Sequence, residues 1–445
     1  MRPDLNCVRM EWKQPQMPDT KKRPPIRAIT RGPQYHWFGY YDKLEFDATQ
    51  RYVLGMEVGF EGRSPTAEDE VRVGMVDLRD GDRWIELGTS RAWCWQQGCM
   101  LQWRPHHAAD GLQRPEVMWN DRQGDQYVSH ILDVRTGRVR TLPHPFYALS
   151  PDGRTAAVPD FRRINEMRPG YGYAGPPDPY ANELASEDSG IWCLDLETGE
   201  HTLIVSLAET ATIPFLADQR RSGVDLQGAK HYFNHLLYNT DGTRLEFLHR
   251  WRLPGQPGFG TRMLTVAPDG SNLAVIDDYG HTSHFCWRDP AHILAWAYHP
   301  SHEWAFYLYR DPQALPTAPE AWGPDRRDVP QGTPVVVGKD VMTVNGHCSY
   351  LPGNEWILND TYPDLNRSQH LYLYHVTTGE RVPLGSFHAP EAYRGEWRCD
   401  LHPRFSPDGR WVVVDSAHKG HARSEGGAYG RQLYLIDIGD IVDSN

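Results

Sequence analysis

The 445-residue chain has no apolar run approaching the roughly 18 residues that a membrane-spanning helix needs, so no spanning segment is expected. It also lacks an excess of positive charge. Against 46 Lys and Arg stand 58 Asp and Glu, a formal charge of −12, whereas non-specific nucleic-acid binding runs on basic surface. Seven cysteines, an odd number, are scattered at 7, 94, 99, 193, 286, 348 and 399 without the spacing of a disulfide framework. Reduced thiols are expected. The first stretch, MRPDLNCVRMEWKQPQMPDTKKRPPIRAI, carries charges and prolines but no apolar core of a secretory signal. It reads as an extended arm over 1–28, and a cytoplasmic location is expected. Long segments of 3.6-residue periodicity are almost missing, which argues against a helical solenoid.

What is present is turn and aromatic chemistry. There are 40 Gly and 35 Pro, and aromatics make up 11% with 16 Trp and 22 Tyr. That composition fits many short strands joined by turns. A strand–turn–strand phrase recurs as FDATQRYVLGMEV at Phe46, LSPDGRTAAV at Leu149, YNTDGTRLEFL at Tyr238, VAPDGSNLAVI at Val266 and FSPDGRWVVVD at Phe405. Asp-Gly supplies the side-chain capping and the backbone freedom that a tight two-strand turn requires. Third-strand phrases follow, such as SHILDVRTGRVRTL and LYLYHVTTGERVPL. Seven units start near His36, Trp95, His144, Lys230, Gly280, Val344 and Trp397. Units of four strands at roughly 40–50 residues predict an all-β, seven-bladed β-propeller over 29–445 as one domain. Two stretches break the rhythm: 160–188, rich in Arg, Tyr, Gly and Pro, and 207–227, with weak helical character. Long propeller insertions fall on one rim, where they bind ligands or cover an edge.

Four units share a further feature. His235, His284, His347 and His402 each precede an aromatic (Tyr238, Trp287, Tyr350, Phe405) by three residues and are followed by a turn. The start of an innermost strand lies near the channel mouth, so the four should converge there. Cys399 and Asp400 are close in sequence. Imidazoles with a thiolate or carboxylate suit Zn²⁺ or a similar divalent ion. A channel histidine serves equally well by bonding to its neighbours, so the choice rests on the set rather than on any one ring. Lys43, Met100 and Phe146 hold the equivalent position in the first three units, which puts metal chemistry on one side of the axis. The other side offers His36, Tyr40, Tyr41, Asp42, Gln97, Asn120 and, from the insertion, Arg162, Arg163, Arg168, Tyr171 and Tyr173. Arg grips carboxylate or sulfate with two hydrogen bonds and aromatics stack on ring faces, so an anionic sugar is the expected ligand. Salt bridges within the insertion would account for the same arginines.

The stretch HLLYNTDGTRLEFLHRWR, from His235 to Arg252, resembles the part of the oligogalacturonate lyases in which a histidine precedes a WSPD-type turn. GHCSYLPGNEWILNDTYPD resembles their metal-site blade, and the likeness covers about 230–420. The resemblance implies a seven-bladed propeller that cleaves uronate oligosaccharides by β-elimination with a divalent metal near the channel. It implies His235 as the proton-abstracting base and His284 and His347 as metal ligands. In place of the family's paired histidines this chain has Asn345-Gly346-His347, so Cys399 and His402 are expected to complete the ligand set. A second resemblance, at the level of fold, is to propeller ulvan lyases, which act on sulfated uronate polymers. The expected function is therefore a lyase with Zn, or alternatively Mn, acting on an anionic oligo- or polysaccharide. Arg252 or an insertion arginine would neutralise the carboxylate, and Tyr171 would join the catalytic set. The alternative is a non-catalytic propeller with a structural zinc site that binds glycan or protein at its rim. A propeller peptidase is disfavoured, because no GxSxG elbow occurs.

Overall fold

A computed structural model describes residues 23–105, 115–214, 226, 228–256, 258–315, 323–324, 327, 329–419 and 430–444. The turns of the repeated phrase close by the chemistry that their sequence dictates. Asp152, Asp241 and Asp408 each accept a hydrogen bond at 3.0 Å from the backbone N–H two residues on (Arg154, Thr243, Arg410). Each such turn joins the innermost strand of a sheet to the next one out. The result is seven four-stranded antiparallel sheets, six of them with their strands bonded in chain order. Six blades span 35–90, 102–142, 148–206, 230–277, 282–337 and 349–388.

The seventh blade is made from both ends of the described chain. Strands Arg404–Phe405, Trp411–Ser416 and Gln432–Asp437 are completed by Ile26–Ala28, with Ile26 opposite Ile436 and Ala28 opposite Tyr434. Residues 26–28, assigned from sequence to the arm, are thus the outer strand that closes the ring. The reason is physical: without them the last strand would present an unpaired edge. Residues 1–22 of the expected arm lie outside the described residues.

Apolar side chains alternate along the strands and fill the wedges between blades. Met118, Ile131, Ala157, Leu194, Phe233 and Phe247 form one continuous cluster across blades 2, 3 and 4. Each fully buried side chain of this kind contributes roughly 1.5–3 kcal/mol. The insertion 160–188 leaves blade 3 between its second and third strands, and opens with a short helix, Phe161–Met167. It packs over the start of the innermost strand of blade 4, Lys230–Tyr238: Arg163 Nε donates to the His231 carbonyl at 2.9 Å. The second insertion begins with a short helix, Leu207–Ala211, capped by Ser206. Residues 215–225 and 227 fall outside the described set. No helix among the described residues is long and apolar enough to cross a membrane.

Candidate active site and metal centre

The four repeat histidines lie where the innermost strands are irregular. His235 is the extra residue of a β-bulge, since Asn234 pairs with Leu248 and Leu236 with Phe247. It adopts φ 55°, and its N–H is capped by Asn234 Oδ1 at 2.7 Å. A bulge re-aims a side chain out of the pleat; here it points into the channel. His402 has φ 42° just before its strand, and His284 sits in a register break between Thr282 and Phe285. His347 follows Gly346, at which a Cβ would come within 1.9 Å of the Asp360 carbonyl oxygen, so only glycine admits that approach.

The row then divides. The rings of His284 and His347 are 4.1 Å apart and those of His347 and His402 are 4.3 Å apart. Ligand atoms of His347, Asp400 and His402 lie within 4.8 Å of one another, all three buried. His347 Nδ1 faces both Asp360 oxygens at 2.9 and 3.0 Å, which fixes the ring and turns Nε2 toward the group. Asp400 takes a 2.7 Å hydrogen bond from Arg398 Nε on Oδ2. Burial, and then the neighbouring His347, hold His284 and His402 well below the ordinary imidazole pKa, so both are neutral. Neutral imidazoles and a carboxylate in one buried place fit a divalent cation. His284 stays beside His347, with Nδ1 3.1 Å from Asn345 Oδ1, but outside the three-residue group.

Cys399 is not part of that group; its neighbour Asp400 is. The Cys399 thiol packs against Tyr393 and Ala417, and burial pushes it up to about 12.

His235 is set apart from the other three rings by two tyrosines from blade 1. After Trp37 the innermost strand of blade 1 leaves its partner and resumes pairing only at Phe46, opposite Val53. The intervening loop reaches from blade 1 to blades 4 and 5, across the axis that the sequence pattern divides. Tyr40 Oη lies 3.5 Å from His235 Nδ1, and Tyr41 Oη lies 3.4 Å from His235 Nε2. Asp42 Oδ2 is 3.7 Å from that same Nε2. Tyr41 also mends the break in blade 5, donating to the Phe285 carbonyl at 2.7 Å and accepting from the Phe285 N–H at 3.0 Å. Burial raises both tyrosines well above their ordinary range, and burial lowers His235, although Asp42 opposes that shift. Lys43 pairs with Asp42 at 3.1 Å and lies 4.4 Å from the Tyr147 ring centroid, while Gln97 donates to Tyr147 Oη at 2.7 Å.

Gln97 therefore lines the far wall of the channel, but several other expected ligand-binding residues work elsewhere. Asn120 is fully buried and bonds to both backbone groups of Phe146 and to Tyr173 Oη, tying blade 2 to blade 3. Tyr173 stacks on Phe161 at 4.2 Å beneath the insertion. Arg163 is consumed by Asp178 and four backbone carbonyls. Arg162 pairs with Asp160 at a separate cavity of about 270 Å³ lined also by Tyr127, His144, Trp192 and His201. The three insertion residues Arg162, Arg163 and Tyr173 share a cause: a long insertion must satisfy its own buried polar groups before it can offer any to a ligand.

Arg252 lies four residues beyond Leu248, the partner that flanks the His235 bulge. At ~3.4 Å per residue its Cα is about 14 Å along the strand, out of reach of His235. Of the arginines near the cluster, Arg404 is engaged by Glu45, Asp415 and the His402 carbonyl, which leaves Arg398 and Arg168. Arg398 donates to Tyr171 Oη as well as to Asp400, and the Arg168 guanidinium lies 3.8 Å from the Tyr171 ring. Tyr171 belongs to one buried cluster with Tyr40, Tyr41 and Ile164, so of the insertion residues Tyr171 and Arg168 meet the channel. Asp360, Tyr362 and Arg398 were not singled out from sequence. Asp360 had a signal: it ends WILND as Asp415 ends WVVVD, the same place in two blades.

No protein-family model matches the chain, and no curated protein sequence matches it. Solved structures do. The chain is similar to an oligogalacturonate lyase from Vibrio parahaemolyticus, with TM-score 0.58 at 14% identity, covering 94% of each chain. It is similar to an oligogalacturonate lyase in complex with manganese, with TM-score 0.56 at 15% identity, covering 93% of each chain. The tricorn protease aligns over 93% of this chain and 35% of its own at TM-score 0.49 and 10% identity. The likeness to the lyases is one of fold: a seven-bladed β-propeller, as the repeat predicted.

Proposed function

We propose that the protein is a metal-dependent lyase that cleaves uronate-containing oligosaccharides by β-elimination. The observation that carries this reading is the convergence of His347, Asp400 and His402 within 4.8 Å beside a neutral His235. The oligogalacturonate lyase fold and the manganese complex of one such enzyme support it. His347, Asp400 and His402 would hold the ion, with His284 adjacent; two imidazoles and a carboxylate suit Zn or Mn. A divalent cation there supplies polarisation of the uronate carboxylate, which acidifies the C5 proton.

This chain's own groups supply the rest. Tyr40 stands between His235 and the half-open side of the cluster at Tyr362 and Arg398. The C5 proton moves to Tyr40 Oη as Tyr40 gives its own proton to His235 Nδ1, making His235 the terminal base. The C5–H electron pair forms the C4–C5 double bond and the C4–O bond breaks. Tyr171, polarised by its hydrogen bond from Arg398, protonates the leaving oxygen. Arg398 neutralises the substrate carboxylate at the mouth. Unsaturated products absorb near the ultraviolet edge, so the test is absorbance across a panel of uronate oligomers. The expected result is a rise with wild type and at least a ~100-fold slower rise with His235→Ala at unchanged fold.

One observation favours a second reading. All four histidines and Asp400 are at most 6% exposed, as in a site that holds metal for structure. In that case His402→Ala would lower thermal stability and metal content together, while no uronate would be turned over.

A further inference from the structure

Arg250, on the second strand of blade 4, is only 5% exposed. Its Nε and Nη1 have no hydrogen-bond partner. Directly across the ladder stands Tyr232, whose buried hydroxyl interacts with Arg252, two residues on, and Arg252 Nε itself has no hydrogen-bond partner. Among the described residues, Arg168, Arg250 and Arg252 form no ion pair. Glu246, the carboxyl on the same face of that strand, is four residues away, and burial raises it well above the usual carboxylate range. A buried guanidinium with open N–H groups is destabilising unless an anion meets it.

These arginines are continuous with the channel cluster. Arg398 lies 5.7 Å from the Tyr171 ring centroid and Arg168 lies 3.8 Å from it; Arg168 is 4.9 Å and Arg250 4.7 Å from the Phe259 centroid. The run from Asp400 through Arg398, Tyr171, Arg168 and Phe259 to Arg250 is therefore a cationic track that leaves the channel mouth along blade 4.

We propose that Arg168, Arg250 and Arg252, with the Tyr232 hydroxyl, form a second oxyanion subsite that holds a carboxylate of a sugar unit remote from the one reacting in the channel. The inference rests on the lyase reading for its ligand, an oligouronate. It makes the protein selective for chain length, because only a longer oligomer occupies both places. Guanidinium groups with free N–H edges suit a carboxylate bidentately.

The test uses the full chain, wild type and the variants Arg250→Gln and Arg252→Gln. The preference in kcat/KM for tetragalacturonate over digalacturonate is expected to fall about 10-fold in each variant, mostly through KM. Independently of turnover, sulfate in the millimolar range should raise the wild-type thermal midpoint and leave that of Arg250→Gln unmoved. Loss of an unpaired buried charge leaves the variant folded, and half-buried Arg252 provides a second readout. If wild type turns over no uronate but its sulfate response is lost in Arg250→Gln, the lyase reading fails and the oxyanion subsite stands. If both variants match wild type in sulfate response and in length preference, the subsite is wrong.

Discussion

His235 and His347 occupy the same position in two blades, and their neighbours give them different chemistry. Asp360 holds Nδ1 of His347 and so presents Nε2 to Asp400 and His402. Two tyrosine hydroxyls and Asp42 surround His235, where burial keeps it ready to accept a proton. A carboxylate behind a metal-binding imidazole fixes its tautomer and raises its basicity, and its loss lowers metal affinity about 10–100-fold. Asp360→Asn is expected to weaken Zn²⁺ or Mn²⁺ binding by that factor, measured by competition with a chromogenic chelator. Unchanged affinity would remove His347 from the metal centre.

At the scale of elements, the decisive piece is the loop that carries Tyr40 and Tyr41 from blade 1 across the axis. Its base is anchored by buried charge. Arg404 bonds both Glu45 and Asp415, and Asp415 accepts the N–H groups of Phe38 and Gly39 at 3.1 and 3.2 Å. Gly39 turns the chain at φ +118°, and a Cβ there would lie 2.9 Å from the Gln97 carbonyl carbon. Gly39→Ala should cost about 1–3 kcal/mol in urea denaturation and lower activity by moving the tyrosines. Gly124→Ala, at positive φ in open space, should cost less. Equal costs would mean that the loop tolerates displacement. This loop was illegible in sequence. The hairpins were readable because Asp-Gly turns and alternation are local, and the four histidines because a repeat aligns them. Tyr40 and Tyr41 lie about 195 and 244 residues from the groups they meet, and no local pattern encodes such a contact. Cys399 and Asp400 were both named beside His402, and Cys399 was preferred as ligand, because sequence proximity does not say which side chain faces the axis.

For the whole molecule, ring closure and blade number followed from counting turns, whereas the outer strand of the last blade did not, because three residues near one end pair with the other. Burial in this ring also sets how stability responds to acid. His231 contacts His249 at 2.8 Å with Arg262 behind it. Burial, and then Arg262 and Arg163, lower His231 to about 4. The unfolded group titrates near 6.5, so the unfolded chain binds the proton first as pH falls. Stability is complete above about 6.5 and is lost toward pH 4 at up to about 1.4 kcal/mol per pH unit from this residue. Urea midpoints measured from pH 7.5 to 4.5 should decline less steeply for His231→Asn than for wild type; parallel curves would contradict the assignment.

The central claim joins the channel metal centre to uronate elimination. Its most direct test follows ultraviolet absorbance while metal-loaded protein acts on oligogalacturonate, before and after chelation. The account predicts a steady rise that chelator abolishes and added Mn²⁺ or Zn²⁺ restores. A flat trace from protein of measured full metal content, across the whole uronate panel, would contradict it.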